Sequence, residues 1–89
     1  MVEKEIMVSN RLGLHARAAA KLVQMCGRFS SRVMLVCRGR EVNAQSILGV
    51  MMLAAGKGTT LTVRTEGEDE ADALVAISAL FDRRFDEAD

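Results

Sequence analysis

The 89-residue sequence contains no proline, tryptophan or tyrosine, and only three phenylalanines, two cysteines and one histidine. So few aromatic side chains supply little of the stacking platform on which single-stranded RNA is bound. Two cysteines cannot form the framework of a disulfide-rich secreted miniprotein. A single histidine leaves no plausible four-ligand zinc set. We therefore expect no metal site and no cofactor.

Neither sign of charge is in excess, because 12 Lys and Arg residues balance 12 Asp and Glu residues. A bulk electrostatic attraction to nucleic acid is therefore not expected. No apolar run approaches the roughly 18 residues of a membrane-spanning helix, and the segment Met1 to Glu5 is too charged for a secretory signal peptide. These absences predict a soluble cytoplasmic protein that does not insert into a membrane.

Hydrophobic residues make up 49% of the chain, which favours a folded core over disorder. A chain of this length forms one core, so we expect a single domain over residues 1–89. Apolar periodicity and turn residues predict strands and helices in alternation. The predicted elements are strands at Val2–Ser9, Arg32–Cys37, Arg40–Asn43 and Thr60–Glu66, and helices from Ala16 to Gly27, from Ser46 to near Gly56, and after Gly67.

The order is therefore βαββαβα, and each strand and helix has one apolar face. A single four-stranded antiparallel sheet with all three helices on one face buries these surfaces most economically. The sequence predicts an α+β fold of the open-faced β-sandwich type. Both thiols, Cys26 and Cys37, fall on apolar faces and are expected to be buried.

The charged segments are predicted to be solvated. Glu68, Asp69 and Glu70 stand where the last helix begins, and their charge suits the positive end of its dipole. The segment Phe85–Asp89 is expected to be a fraying acidic tail.

The histidine lies where a loop meets a predicted helix, in Gly13-Leu14-His15-Ala16-Arg17. A helix start leaves about four backbone N–H groups without partners and carries roughly half a positive charge, so it stabilises an anion. Imidazole is nucleophilic near neutral pH and can pass on a phosphoryl group attached to a ring nitrogen. The pattern is compatible with a phosphoryl site, but taken alone these residues favour a surface histidine that merely precedes a helix.

A longer segment, Asn10 to Val23 (NRLGLHARAAAKLV), resembles the active-site segment of the HPr family. These are the histidine-containing phosphocarriers of the phosphoenolpyruvate-dependent phosphotransferase system. A second segment, Val42 to Met51 (VNAQSILGVM), is similar to that family's regulatory-serine region, at the usual spacing. The resemblance extends from Val2 to about Phe85, and the predicted order of elements also matches the family's fold.

This resemblance implies that His15 is phosphorylated at Nδ1 by phospho-enzyme I and passes the group to an enzyme IIA domain. Arg17 would help to hold the phosphoryl charge, and the amides of Ala16 and Arg17 would donate to its oxygens. The protein would then be a carrier rather than an enzyme. We expect a monomer, because a carrier exposes its site to successive partners.

Ser46 has two interpretations. As a structural cap it needs only its hydroxyl group. By the resemblance it is also the target of an ATP-dependent HPr kinase/phosphorylase, where that enzyme exists. The resemblance further implies that Ile47, Leu48 and Met51 form a docking surface beside His15.

A polar stripe of Arg17, Lys21 and Arg28 along the first helix is expected to steer acidic partner surfaces. One departure from the family lies on the same helix, where Ala18 takes the place of the usual proline. Proline would fix φ in the first turn, whereas alanine keeps an N–H and has the highest helix propensity. We expect Ala18 to weaken nothing essential and to add a donor near the phosphoryl oxygens.

Two alternatives remain. The protein could act mainly as a regulator that partners recognise through phosphorylation of His15 or Ser46. Leu12 and the ending Ala79–Asp86 look like the nitrogen-related branch of the family, whereas the Ser46 segment looks like the sugar-uptake branch. The second alternative is a small ligand-binding or RNA-binding α+β module without phosphoryl chemistry.

Overall fold

The predicted elements occur in the predicted order in a computed structural model that describes residues 1–87. Three helices and four strands follow in the order βαββαβα as expected, and a short left-handed turn at Arg84–Asp86 comes after them. The elements are β1 (Val2–Met7), α1 (Ala16–Cys26), β2 (Arg32–Cys37), β3 (Arg40–Asn43), α2 (Ile47–Met52), β4 (Thr60–Glu66) and α3 (Glu70–Asp82).

The four strands form one antiparallel sheet in the order β1-β4-β2-β3. In its register, Val63 of β4 faces Lys4 on one side and Leu35 on the other. Alternate residues of the central strands are therefore buried under the helices, while their neighbours face solvent. This confirms the predicted open-faced α+β sandwich.

The solvent face of the sheet is mostly polar. Arg64 lies at its centre and pairs with Glu41 at 3.0 Å and Glu3 at 3.6 Å. On the opposite face, Lys4 interrupts the apolar pattern of β1, and its Nζ donates to Ser78 Oγ on α3 at 3.1 Å. The one polar residue in that pattern thus forms a link between sheet and helix.

Both cysteines are buried, as predicted. Cys26 lies on the apolar face of α1 and Cys37 at the end of β2. Burial raises the pKa of the Cys26 thiol to about 12, because the thiolate would lose its hydration. Among residues 1–87, no helix is long and apolar enough to cross a lipid bilayer.

Two element ends differ from prediction. β1 ends at Met7 rather than Ser9, because Val8 bonds instead to the loop before β4, through Thr59 and Gly58. α2 ends at Met52 rather than near Gly56. There the amides of Leu53 and Ala54 bond to carbonyls three residues back, and Ala54 adopts a φ of 51°. The chain turns early and so buries Leu53 and Ala55.

The prediction of a fraying acidic tail is wrong for the described part of that segment. Phe85 is 1% exposed and packs edge-on against Phe81, with ring centroids 4.8 Å apart. The burial of a large aromatic side chain anchors the segment to the core. Ala88 and Asp89, the rest of the predicted tail, lie outside the described residues.

The prediction of merely solvated charge is also wrong for two of the three acidic residues at the start of α3, Glu68, Asp69 and Glu70. Asp69 accepts hydrogen bonds from the amides of Ser30 and Ser31, each at 2.9 Å, and from the Ser31 hydroxyl. Glu70 accepts from the amide of Gly67 and pairs with the amino terminus of Met1 at 3.0 Å. These carboxylates connect the start of α3 to other parts of the chain.

Candidate functional site

The loop between β1 and α1 determines where the histidine lies. Gly13 has a φ of 68°, and a Cβ placed there would lie 2.5 Å from the carbonyl oxygen of Ala55. Only glycine permits this approach without strain. The next amide, of Leu14, donates to the same oxygen at 2.9 Å. The loop is thus closed against the segment after α2, and His15 follows as the N-cap of α1.

The imidazole ring of His15 turns toward the first turn of its own helix. Its Nδ1 accepts a hydrogen bond from the amide of Arg17 at 3.3 Å. A ring nitrogen that accepts a hydrogen bond carries no proton, so the proton of the neutral ring lies on Nε2. Nδ1 therefore presents a lone pair beside the positive end of α1, as the predicted phosphoryl site requires.

The other ring nitrogen binds a residue that the sequence analysis did not place in the site. His15 Nε2 lies 2.5 Å from Glu87 Oε2. The second carboxylate oxygen, Oε1, accepts a hydrogen bond from Asn10 Nδ2 at 3.2 Å. Although the two side chains cover each other in part, the His15 side chain remains 27% exposed and the Glu87 side chain 14% exposed. The ring is neither sealed in the interior nor turned away from the helix start.

Three cationic side chains and two carboxylates lie near the histidine. A surface depression of about 780 Å³ is lined by His15, by Arg11, Arg17 and Lys21, and by Asp86 and Glu87. The predicted cation Lys21 does not point freely into solvent, because its Nζ donates to the carbonyl oxygen of Phe85 at 2.6 Å. It thereby holds the C-terminal segment beside α1. The depression is electrostatically suited to an anion on Nδ1.

The three predicted backbone donors differ in accessibility. Ala16 and Arg17 are exposed and line the depression. Ala18 is completely buried in the core. The first two residues are therefore better placed than Ala18 to reach a phosphoryl group.

Ser46 caps α2 as predicted. Its Oγ accepts a hydrogen bond from the amide of Gly49 at 3.0 Å, and the residue is exposed. The predicted docking residues are exposed too: Ile47 by 41%, Leu48 by 74% and Met51 by 38%.

The structure brings only part of this apolar surface to the histidine. Met51 and Leu12 line a second depression, of about 290 Å³, that also includes His15. Ile47 and Leu48 do not line it and lie about one helical turn before Met51. An apolar patch and a cationic depression thus meet at His15.

This arrangement suits transient attachment of an anionic group to Nδ1. The nitrogen is unprotonated, it accepts from the amide of Arg17, and Arg11, Arg17 and Lys21 line the depression around it. Sequence reasoning missed Glu87 because no local pattern connects it to His15. A signal was nevertheless present, since Phe85 follows Phe81 by four residues and so continues the apolar face of α3.

Comparisons with known proteins find similarity over nearly the whole chain. The family model for the phosphorylation site of the HPr component of the phosphotransferase system matches residues 2–83. The phosphocarrier protein HPr of Xylella fastidiosa (strain 9a5c) is 58% identical over 87 residues, covering 98% of each chain.

Solved structures give the same result for the fold. HPr-C-His from Thermoanaerobacter tengcongensis superposes with a TM-score of 0.94, at 39% identity and with 99% of each chain covered. The Bacillus subtilis catabolite repression protein Crh, described as a domain-swapped dimer, has a TM-score of 0.77 at 43% identity, over 94% of this chain and 97% of its own.

Proposed function

Because this chain belongs to the HPr family of phosphocarriers, we propose that His15 takes a phosphoryl group from phospho-enzyme I and passes it to an enzyme IIA domain. The observation that carries this proposal is the position of His15 Nδ1. It is unprotonated and lies 3.3 Å from the amide nitrogen of Arg17 at the open start of α1. The protein acts as substrate of one partner and donor to another, in the cytoplasm and as a monomer.

The transfer is an in-line displacement at phosphorus. The lone pair of Nδ1 forms the P–N bond while the bond between phosphorus and the donor breaks, and its electron pair leaves with the donor. The Arg17 guanidinium and the amides of Ala16 and Arg17 stabilise the charge on the phosphoryl oxygens. The second transfer reverses these roles, with Nδ1 as the leaving group.

The surface around His15 serves successive partners. Leu12 and Met51 give an exposed apolar contact, extended along α2 by Ile47 and Leu48. Arg11, Arg17 and Lys21 add positive charge next to it. Such a combination favours acidic partner surfaces with an apolar centre, and the charge speeds their encounter.

The test is a phosphorylation assay with phosphoenolpyruvate, enzyme I and this protein. We expect an acid-labile phosphorylated species, which His15→Ala abolishes. Arg17→Ala is expected to slow its formation about tenfold, the effect of losing a hydrogen bond to a charged group. Arg32→Ala, which removes an exposed cation from the start of β2, is the matched control and leaves the rate unchanged. Labelling that persists in His15→Ala would contradict the proposal.

A second candidate function is regulation through Ser46. Its hydroxyl is exposed, and it is adjacent to the apolar residues Ile47 and Leu48. A phosphate there would place about two negative charges on the docking surface and repel acidic partners. The exposure of Ser46 favours its phosphorylation by a kinase. The partner whose binding changes on phosphorylation would then identify whether the protein belongs to the sugar-uptake or the nitrogen-related branch of the family.

Incubation with an HPr kinase/phosphorylase and ATP tests this second candidate. We expect acid-stable labelling that Ser46→Ala removes and His15→Ala retains. Phosphorylated protein is then expected to accept the phosphoryl group from enzyme I more slowly. An absence of labelling, or an unchanged rate after labelling, would contradict the regulatory role.

A further inference from the structure

We propose that Glu87 is a positioning residue for His15. Its carboxylate keeps the imidazole proton on Nε2, so the Nδ1 lone pair has only to release the hydrogen bond from the Arg17 amide before it attacks phosphorus. The carboxylate also balances the positive charge that the ring gains on phosphorylation. This inference rests on the proposed function of His15 as phosphoryl acceptor. It adds to that site a residue, Glu87, that the family resemblance does not include.

Two contacts fix the carboxylate in this position. His15 donates Nε2–H to Glu87 Oε2 at 2.5 Å, and Asn10 donates Nδ2–H to Oε1 at 3.2 Å. Asn10 is completely buried, and the same amide group donates to the carbonyl oxygen of Gly13 at 2.7 Å. The carboxylate is therefore held by the loop that leads into His15, and both of its oxygens are occupied.

The segment that delivers Glu87 adopts an unfavourable backbone conformation. Arg84, Phe85 and Asp86 all have positive φ values, between 56° and 60°. Each such residue raises the free energy of the folded state, and other contacts must offset this cost. Here Phe85 is buried against Phe81, and its carbonyl accepts from Lys21 Nζ. Strain that is held in place next to a reactive group points to a function for the segment.

The carboxylate has a defined part in the proton and charge balance. Before transfer, the ring is neutral, with its proton on Nε2 and a lone pair on Nδ1. That lone pair forms the P–N bond as the bond from phosphorus to the donor breaks. Nε2 keeps its proton, so the ring becomes a cation in contact with the Glu87 carboxylate. On transfer to the next acceptor the P–N bond breaks, its electron pair returns to Nδ1, and the ring is neutral again.

The negative charge of Glu87 also repels the phosphoryl group, which is an opposing effect. The carboxylate touches Nε2, however, whereas the phosphoryl group attaches to the other ring nitrogen and lies farther away. Since Coulomb energies fall with distance, each charge of the phosphoryl group repels the carboxylate less than the ring cation attracts it. Arg17 and Lys21, which line the same depression, screen the repulsion further.

Two variants separate the parts of this role. Glu87→Gln keeps a hydrogen-bond acceptor for Nε2–H but removes the charge, and Glu87→Ala removes both. We expect kcat for phosphorylation by phospho-enzyme I to fall about tenfold in Glu87→Gln and further in Glu87→Ala. The KM for this protein is expected to stay unchanged. Glu68→Gln, which makes the same change at an exposed carboxylate just before α3, is the matched control and keeps the original rate.

Nitrogen NMR of the His15 ring gives a readout that a purely structural role would not alter. We expect the neutral ring to carry its proton on Nε2 in the unaltered protein, and a measurable fraction with the proton on Nδ1 in Glu87→Ala. Unchanged kinetics and tautomer in both variants would overturn the proposal. Faster phosphorylation of Glu87→Ala would also overturn it, because the segment would then be an inhibitory cover. If the unaltered protein is not phosphorylated at all, the proposed function fails together with this inference.

Discussion

The first and the last helix of this protein begin in opposite ways. At the start of α3, Glu70 and Asp72 lie in the first turn and Asp69 directly precedes it. At the start of α1, no acidic residue occupies the first turn, the cap is His15, and the first turn contains Arg17. Both helix starts have amides without a partner inside the helix and a positive dipole end, but only α3 has carboxylates in its first turn.

The carboxylates at α3 are already engaged with the rest of the chain. The hydroxyl of Ser31 and the amide of Ser30 lower the pKa of Asp69, and the amino terminus and the Gly67 amide lower the pKa of Glu70. These lowered values mean that the folded protein stabilises the ionised forms. The difference teaches that α3 uses its helix start for stability, whereas α1 leaves its own available to an anion from outside.

Placing a carboxylate in the first turn of α1 would remove this difference between the two helix starts. Ala16 is exposed and is the first residue of the helix, so Ala16→Glu adds a charge that suits the dipole. We expect slightly higher thermal stability together with about tenfold slower phosphorylation, because the added charge repels the phosphoryl group. The measurements are thermal unfolding and the enzyme I assay.

Ala16→Gln is the control for this change, because it has the same shape without the charge. It is expected to retain the original phosphorylation rate. Equal rates for the glutamate and glutamine variants would show that the open start of α1 does not receive the phosphoryl group.

Removing the charge of Asp69 at the start of α3 is expected to have a smaller effect, on stability rather than on phosphorylation. Asp69→Asn keeps one acceptor oxygen but presents an amide group to donors of Ser30 or Ser31. We expect the unfolding temperature near neutral pH to fall by a few degrees, with no change in phosphorylation rate.

The pH dependence of that loss follows from the lowered pKa of Asp69. Its stabilisation is fully present above the ordinary value of 3.8 and disappears as the pH falls through the lower value of the folded state. The gap in unfolding temperature between the original protein and Asp69→Asn should therefore narrow in strong acid. A gap that widened in acid, or a slower phosphorylation, would contradict the separation of the two helix starts.

The fold was predictable because local patterns and global packing agree. Alternating residues such as Leu61 and Val63 define a buried strand face, and the helix with Leu22 and Cys26 supplies a matching stripe. The position of His15 at a helix start was predictable for the same reason, because Gly13 and the following apolar periodicity mark the junction. The cap at Ser46 followed from its residue type alone.

The C-terminal segment was not predictable by those rules. Its residues are mostly charged, and three consecutive left-handed backbone conformations interrupt the periodicity after α3. The contact between Glu87 and His15 spans 72 residues, so it depends on tertiary packing rather than on spacing. Only Phe85, a large apolar residue among charged ones, indicated that the segment packs against the core.

The two buried thiols have a practical consequence for work on this protein. Cys26 and Cys37 are the only cysteines of the chain, and neither is open to solvent. With a pKa of about 12, Cys26 remains a protonated thiol, which is a poor nucleophile toward maleimide dyes. A single cysteine introduced on the outer face of the sheet would therefore accept a fluorophore selectively, and partner encounters could be followed without altering either native thiol.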